Sequence, residues 1–173
     1  MGSEMCIRDR KYIDCQLILA GGTATDDPEG LEVLEEVKEK AKGDADIHIL
    51  LLPHNDMEVN ALQSASTIIM QKSLKEGFGL TVAEALWKAK PVVASNVGGI
   101  PLQIKHKYSG LLCRSVEGAA FALKQFLNSP SYAKKLAANG KEHIRNNYLI
   151  TRHLRDYMLL SLALYHNEDV VSL

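Results

Sequence analysis

Ser66-Thr67-Ile68-Ile69-Met70-Gln71-Lys72-Ser73-Leu74-Lys75-Glu76-Gly77-Phe78-Gly79-Leu80-Thr81-Val82-Ala83-Glu84-Ala85 passes through three textures in twenty residues. Ser66 to Met70 is an apolar, β-branched run that reads as a strand. Gln71 to Gly79 is a polar loop with two glycines at its end. Leu80 to Lys88 then reads as a helix. The first N–H groups of a helix have no intrahelical acceptor and carry partial positive charge, so a strand, glycine loop and helix start can hold an anion. Glu76 lies in the loop and Glu84 early in the helix, with seven residues between them.

Upstream, Cys15-Gln16-Leu17-Ile18-Leu19-Ala20-Gly21-Gly22 reads as a buried parallel strand closed by glycines. Thr23 to Pro28 is a polar loop, with Asp27 as an N-cap and Pro28 at the first helical position. Glu29 to Lys42 follows as a helix with Leu31, Leu34 and Val37 on one face, stopped at Gly43. Ile47 to Leu52 is the next strand, closed by Pro53; His48 within it reads as an ordinary strand histidine. Asp56 to Ala65 is a helix along Val59, Leu62 and Ala65. Downstream, Lys90 to Ser95 is a short strand running into Asn96-Val97-Gly98-Gly99-Ile100-Pro101, whose glycines would let the backbone approach a ligand closely. Leu111 to Cys113 is a last strand, and helices follow over Val116–Leu127, Ser131–Asn146 and Thr151–Tyr165. Strands alternating with helices predict the α/β class, a Rossmann-like, doubly wound parallel sheet.

With 173 residues the chain suits one domain, and a net charge of −1 gives no basis for binding nucleic acid or an anionic membrane. Cys6, Cys15 and Cys113 are odd in number and far apart, which argues against a disulfide framework and for a reducing, cytoplasmic setting. The six histidines show no metal-ligand spacing, so neither metal nor cofactor is expected. No apolar run reaches membrane-spanning length, and no signal peptide opens the chain. Met1 to Arg10 shows no periodicity and reads as a non-native leader resembling translated adapter sequence, which leaves 11–173 as the domain.

Ligands of open α/β sheets lie outside the carboxyl ends of the strands. The Glu76 loop and the Gly98-Gly99 loop both belong at that edge. Acceptors on either side of an anion-binding backbone suit ribose, diphosphate and hexose in a row, a nucleotide-sugar. Taken singly, each feature has a plainer account: Glu84 as a solvated helix carboxylate favoured by the dipole, Glu76 as an exposed loop charge, Gly77 and Gly79 as a turn. The whole string is far more specific. Glu76-Gly77-Phe78-Gly79-Leu80 with Glu84-Ala85 resembles the E-x7-E signature of retaining GT-B glycosyltransferases of family 4. Pro91-Val92-Val93-Ala94 and Val97-Gly98-Gly99-Ile100-Pro101 resemble that family's next strand and loop. Ala20-Gly21-Gly22 with Asp26-Asp27-Pro28-Glu29-Gly30, Leu50-Leu51-Leu52-Pro53 and Gln71-Lys72-Ser73 resemble, more narrowly, the trehalose glycosyltransferring synthases.

The resemblance implies that Glu76 is the catalytic-site carboxylate that bonds donor-sugar hydroxyls. It implies that the backbone of Gly77, Phe78 and Gly79 lies against the sugar, that the N–H groups of Leu80 and Thr81 meet the diphosphate, and that Glu84 holds the ribose. The implied donor is ADP-glucose or UDP-glucose, the acceptor glucose, and the product trehalose. It also implies that this chain is the C-terminal half of a GT-B fold, with its first strand and the N-terminal domain missing. The fragment alone is then expected to be inactive. A sheet without its central strand has open edges that invite association with a second copy, as a homodimer. Leu154, Met158, Leu162 and Tyr165 form one stripe of the last helix, and Leu159, Leu160 and Leu164 a second. That helix, 151–165, either crosses toward the missing domain or packs wholly on this one. Two other functions compete: a non-catalytic nucleotide-sugar-binding or interaction module, and a nucleotide-sugar epimerase, against which the E-x7-E spacing argues.

Overall fold

The computed structural model describes residues 15–21, 28–52 and 56–166. The leader, Lys11–Asp14, the Gly22–Asp27 loop with its expected N-cap, and Pro53 lie outside those residues. The chain parts into two compact units between Ala65 and Ser66. In the first, β1 (Leu17–Gly21) pairs in parallel with β2 (Ile47–Leu51), Leu17 standing beside Ile47 and Gly21 beside Leu51. The helix α1 (Pro28–Ala41) joins them and α2 (Asp56–Ala65) follows. Leu34 and Val37 of the expected α1 face are half-buried, whereas Leu31 is exposed. The outer face of α1 carries Lys38–Glu35 and Lys40–Glu36 ion pairs at 2.7 Å, pairings of three and four residues that add a few tenths of a kcal/mol each.

The second unit holds β3 (Ile69–Gln71), α3 (Leu80–Trp87), β4 (Val92–Ser95), α4 (Ile100–Gln103), β5 (Leu111–Cys113), α5 (Val116–Asn128), α6 (Pro130–Asn147) and α7 (Ile150–His166). Its three strands lie parallel in the order β3-β4-β5. Every residue of the central strand β4 is buried, as an apolar run covered on both faces requires. One face of the sheet, with Ile69, Val92 and Ala94, packs against Val82, Ala85, Leu86, Ile100, Ile104 and Ile144. The other, with Val93, Leu111 and Cys113, packs against Ala119, Ala122, Phe126, Ala133 and Leu136. The α/β class with parallel strands alternating with helices is therefore as expected.

Three details differ from the sequence reading. The strand expected from Ser66 begins only at Ile69, because its partner β4 begins at Val92 and Ile69 is the residue paired with it. Gln71, expected in the loop, is instead the last residue of that strand. The short helix α4 was not foreseen; Ile100 and Ile104 are both buried and give it an apolar anchor. Both apolar stripes of the last helix are exposed, with Leu154 at 59%, Met158 at 58% and Tyr165 at 89%.

Close packing of α3 on α6 rests on Gly140, where an added Cβ would lie 2.6 Å from Leu86 Cδ2 and 2.9 Å from the Ser109 carbonyl oxygen. Leu86 is fully buried and the carbonyl is main chain, so neither yields easily. Overpacking costs about 1–3 kcal/mol, against a helix-propensity gain of about 1 kcal/mol for replacing glycine by alanine. Gly140→Ala is therefore expected to lower the urea midpoint of unfolding, and an unchanged or raised midpoint would contradict this packing.

Candidate functional site

The loop from Lys72 to Gly79 leaves the carboxyl end of β3, and the loop from Asn96 to Gly99 leaves the neighbouring end of β4. Parallel strands put both loops at one edge, and they are in direct contact. The Gly99 N–H donates to the Gly77 carbonyl at 2.7 Å. A Cβ on Gly98, whose φ is +55°, would lie 1.6 Å from the Glu76 carbonyl oxygen, and one on Gly99 would lie 2.6 Å from that of Gly77. The close approach that these paired glycines allow in this structure is to the main chain of the Glu76 loop. Gly77 itself has nothing within 4 Å of the position a Cβ would take.

Glu76 is half-buried at the middle of this loop. Its Oε2 accepts from Gln71 Nε2 and from Ser73 Oγ, each at 3.3 Å, and Gln71 Nε2 also donates to Ser73 Oγ at 2.9 Å. The carboxylate is thus aimed by two neutral donors, one at the end of β3 and one two residues on. Phe78 is partly exposed, with its ring centroid 5.7 Å from that of Tyr148. Tyr148 in turn donates from its hydroxyl to the Leu102 carbonyl at 2.7 Å, beside a 3.1 Å contact from His143 Nε2 to the same oxygen. Burial pushes the Tyr148 hydroxyl above its ordinary range, partly opposed by Arg152.

Gly79 is the N-cap of α3, at φ +86°, and makes no side-chain cap. Its carbonyl accepts from the N–H groups of Val82 and Ala83. Among the described residues, the N–H groups of Leu80 and Thr81 have no main-chain acceptor. In α5, by contrast, Ser115 Oγ accepts the Gly118 N–H at 3.0 Å, the usual way to satisfy a helix start. With glycine as cap, the first N–H groups of α3 are not taken by a capping side chain. Glu84 is exposed on α3, one turn beyond them. The structure therefore brings Glu76, Gly77, Phe78, Gly79, Leu80, Thr81 and Glu84 into one continuous loop and helix start.

The sequence reading did not assign roles to Gln71 and Ser73, or to Gln103, a fully buried side chain that donates from Nε2 to the Phe78 carbonyl. The signal for Gln103 is its place three residues after Ile100 in an apolar stretch, where a buried polar residue needs a partner.

The parallel α/β sheet thus carries, at the ends of its strands, an uncapped helix start with a carboxylate on either side in sequence. Residues 6–143 match the family model of the glycosyl transferases group 1, and the chain belongs to that family. It is 46% identical over 149 residues to a trehalose synthase of Rubrobacter xylanophilus, covering 85% of this chain and 36% of that protein. The chain thus spans about a third of the length of that relative. The C-terminal domain of a group 1 glycosyltransferase from Francisella tularensis superposes with a TM-score of 0.71 at 26% identity, over 84% of this chain and 75% of that one. An Anabaena protein, HepE, solved with UDP-glucose, superposes with a TM-score of 0.74 at 18% identity, over 92% of this chain and 45% of that one; this last likeness is one of fold. Among the described residues, no helix is long and apolar enough to cross a membrane.

The contact between the two loops makes a sharp contrast between neighbouring glycines. Gly98→Ala adds a Cβ into the Glu76 carbonyl at a left-handed φ, and a left-handed residue other than glycine already costs about 1–2 kcal/mol. A loss of stability of about 3 kcal/mol is expected once the clash is added. Gly77→Ala, with open space around it, should stay within about 0.5 kcal/mol of the parent. Equal losses in thermal unfolding would contradict this account of the loops.

Proposed function

We propose that the full-length protein is a retaining hexosyltransferase and that this chain carries its nucleotide-sugar donor site. The observation behind the reading is the pair of carboxylates flanking the open Leu80 and Thr81 N–H groups. In this reading Glu76, held by Gln71 and Ser73, accepts hydrogen bonds from the donor hexose. The main chain at Gly77, Phe78 and Gly79 lies along the sugar, where Gly77 leaves open space. The N–H groups of Leu80 and Thr81 bind the diphosphate and stabilise it as it leaves, and Glu84 binds the ribose hydroxyls. Fixed donors aimed at a developing charge each contribute about 3 kcal/mol to the barrier in comparable sites. No metal is needed in this scheme.

The donor is ADP-glucose or UDP-glucose, the acceptor glucose, and the product trehalose. Similarity to the Rubrobacter trehalose synthase supports glucose as the transferred unit, and the UDP-glucose held by Anabaena HepE supports a donor of this kind at this fold. The remainder of the full-length protein supplies the acceptor side, so this chain alone binds donor without transferring. The exposed stripes of α7 fit a helix that crosses to that remainder. The free thiols Cys15 and Cys113 fit a cytoplasmic enzyme.

Calorimetric titration of ADP-glucose and UDP-glucose into the chain tests the ribose role. Hydrogen bonds to a charged group are worth about 1.5–3 kcal/mol, so Glu84→Ala should weaken binding about tenfold or more. Equal affinities for parent and variant would remove Glu84 from that role.

A further inference from the structure

Gln103 is fully buried, and its amide is turned in a way that leaves one of its own atoms unserved. Nε2 donates to the Phe78 carbonyl and lies 3.5 Å from the Gly79 carbonyl. Oε1 is buried with no hydrogen-bond partner. A buried orphan acceptor calls for an explanation, and the geometry supplies one. Turning the amide over would place Oε1 against two carbonyl oxygens. The orientation observed is the one that serves the loop.

The Gly79 carbonyl is already occupied by Val82 and Ala83 N–H groups, so the helix fixes it without help. The peptide between Phe78 and Gly79 has no such support. Gly79 sits at φ +86°, and glycine adopts negative φ about as readily. The main chain alone therefore leaves this peptide free to turn over. In a planar trans peptide the carbonyl and the following N–H point in opposite directions, and the described chain has no cis peptide. With the Phe78 carbonyl drawn inward to Gln103, the Gly79 N–H faces away from it. A turned peptide would present a carbonyl oxygen on that side and repel an anion.

We propose that Gln103 is a positioning residue: through the Phe78 carbonyl it holds the Phe78–Gly79 peptide with its N–H outward, adding a third main-chain donor to those of Leu80 and Thr81 for the diphosphate of the donor. The inference rests on the donor-site reading above. It assigns the anion-binding polarity of the loop to a side chain that never touches the ligand. Ile100 on the same helix and Ile104 just after it are buried and anchor the segment that carries Gln103, and Gly98 and Gly99 seat its start.

The test compares ADP with AMP, and UDP with UMP, by calorimetry on the full 173-residue chain. The parent should prefer each diphosphate. Gln103→Leu keeps the apolar volume and removes the donor, and should cut the diphosphate-to-monophosphate ratio by about tenfold, the worth of a hydrogen bond to a charged group, while monophosphate affinity holds. Gln103→Glu adds a signature that damaged packing would not give. Its protonated carboxyl can donate to the Phe78 carbonyl; its ionised form faces two carbonyl oxygens. Burial and those oxygens raise the introduced carboxyl above its ordinary range. Read against the parent at each pH, its diphosphate preference should therefore be retained at low pH and lost as pH rises. This variant also decides the matter if Gln103→Leu fails to fold. A parent without diphosphate preference overturns the donor-site reading and this inference with it. A parental preference that survives in Gln103→Leu, or a Gln103→Glu profile parallel to the parent's, overturns the inference alone.

Discussion

The site depends on main chain meeting main chain. The Gly99 N–H reaches the Gly77 carbonyl at 2.7 Å, and Gly98 lies against the Glu76 carbonyl, an approach no side chain could survive. Parallel pairing of β3 with β4 brings the two loops to one edge, with Ile69 beside Val92 and Gln71 beside Ala94. The contact then sets how the Glu76 loop stands and where α4 begins. From α4, Gln103 reaches back under Phe78. The order of dependence runs from register to loop contact to the direction of individual peptide groups.

Satisfaction of polar groups is uneven across the second unit, and the unevenness has a pattern. The start of α5 is capped by Ser115, while the start of α3 has glycine as cap and open N–H groups beyond it. At φ +86° the cap position of α3 favours glycine, and a glycine cap gives up only a few tenths of a kcal/mol relative to serine. With no capping side chain, the first N–H groups of α3 are not taken by one. Burial of Val82, Ala85 and Leu86 holds α3 in place without the cap. Packing on one side of the helix thus permits an unsatisfied end on the other.

How much of this was legible in the sequence follows from which forces are local. β4 reads directly, because an apolar run covered on both faces announces itself. The helix start at Leu80 reads equally well from the glycines and the apolar spacing after them. The start of β3 does not, since Ser66 to Ile68 have the right residues but no partner in β4. Paired glycines at 98 and 99 signal a close approach, yet the sequence cannot say to what; the answer lies more than twenty residues upstream. Gln103 is hidden for the same reason. Its bond to Phe78 spans 25 positions, and no local pattern marks a long-range hydrogen bond.

The two carboxylates of the motif look alike in sequence and are set quite differently. Glu76 is half-buried, with Gln71 and Ser73 both on Oε2, so its direction is fixed before any ligand arrives. Both partners are neutral, which orients the carboxylate without cancelling its charge. Glu84 is exposed on a helix whose own start lies one turn away. Pre-organisation saves the ordering entropy of a side chain on binding, on the order of 1 kcal/mol. It matters most where geometry must be held closely, at the reacting sugar, and least at a peripheral hydroxyl pair. In the proposed donor site, the half-buried carboxylate bonded by Gln71 and Ser73 is the one assigned to the hexose, and the exposed carboxylate on the helix is assigned to the ribose.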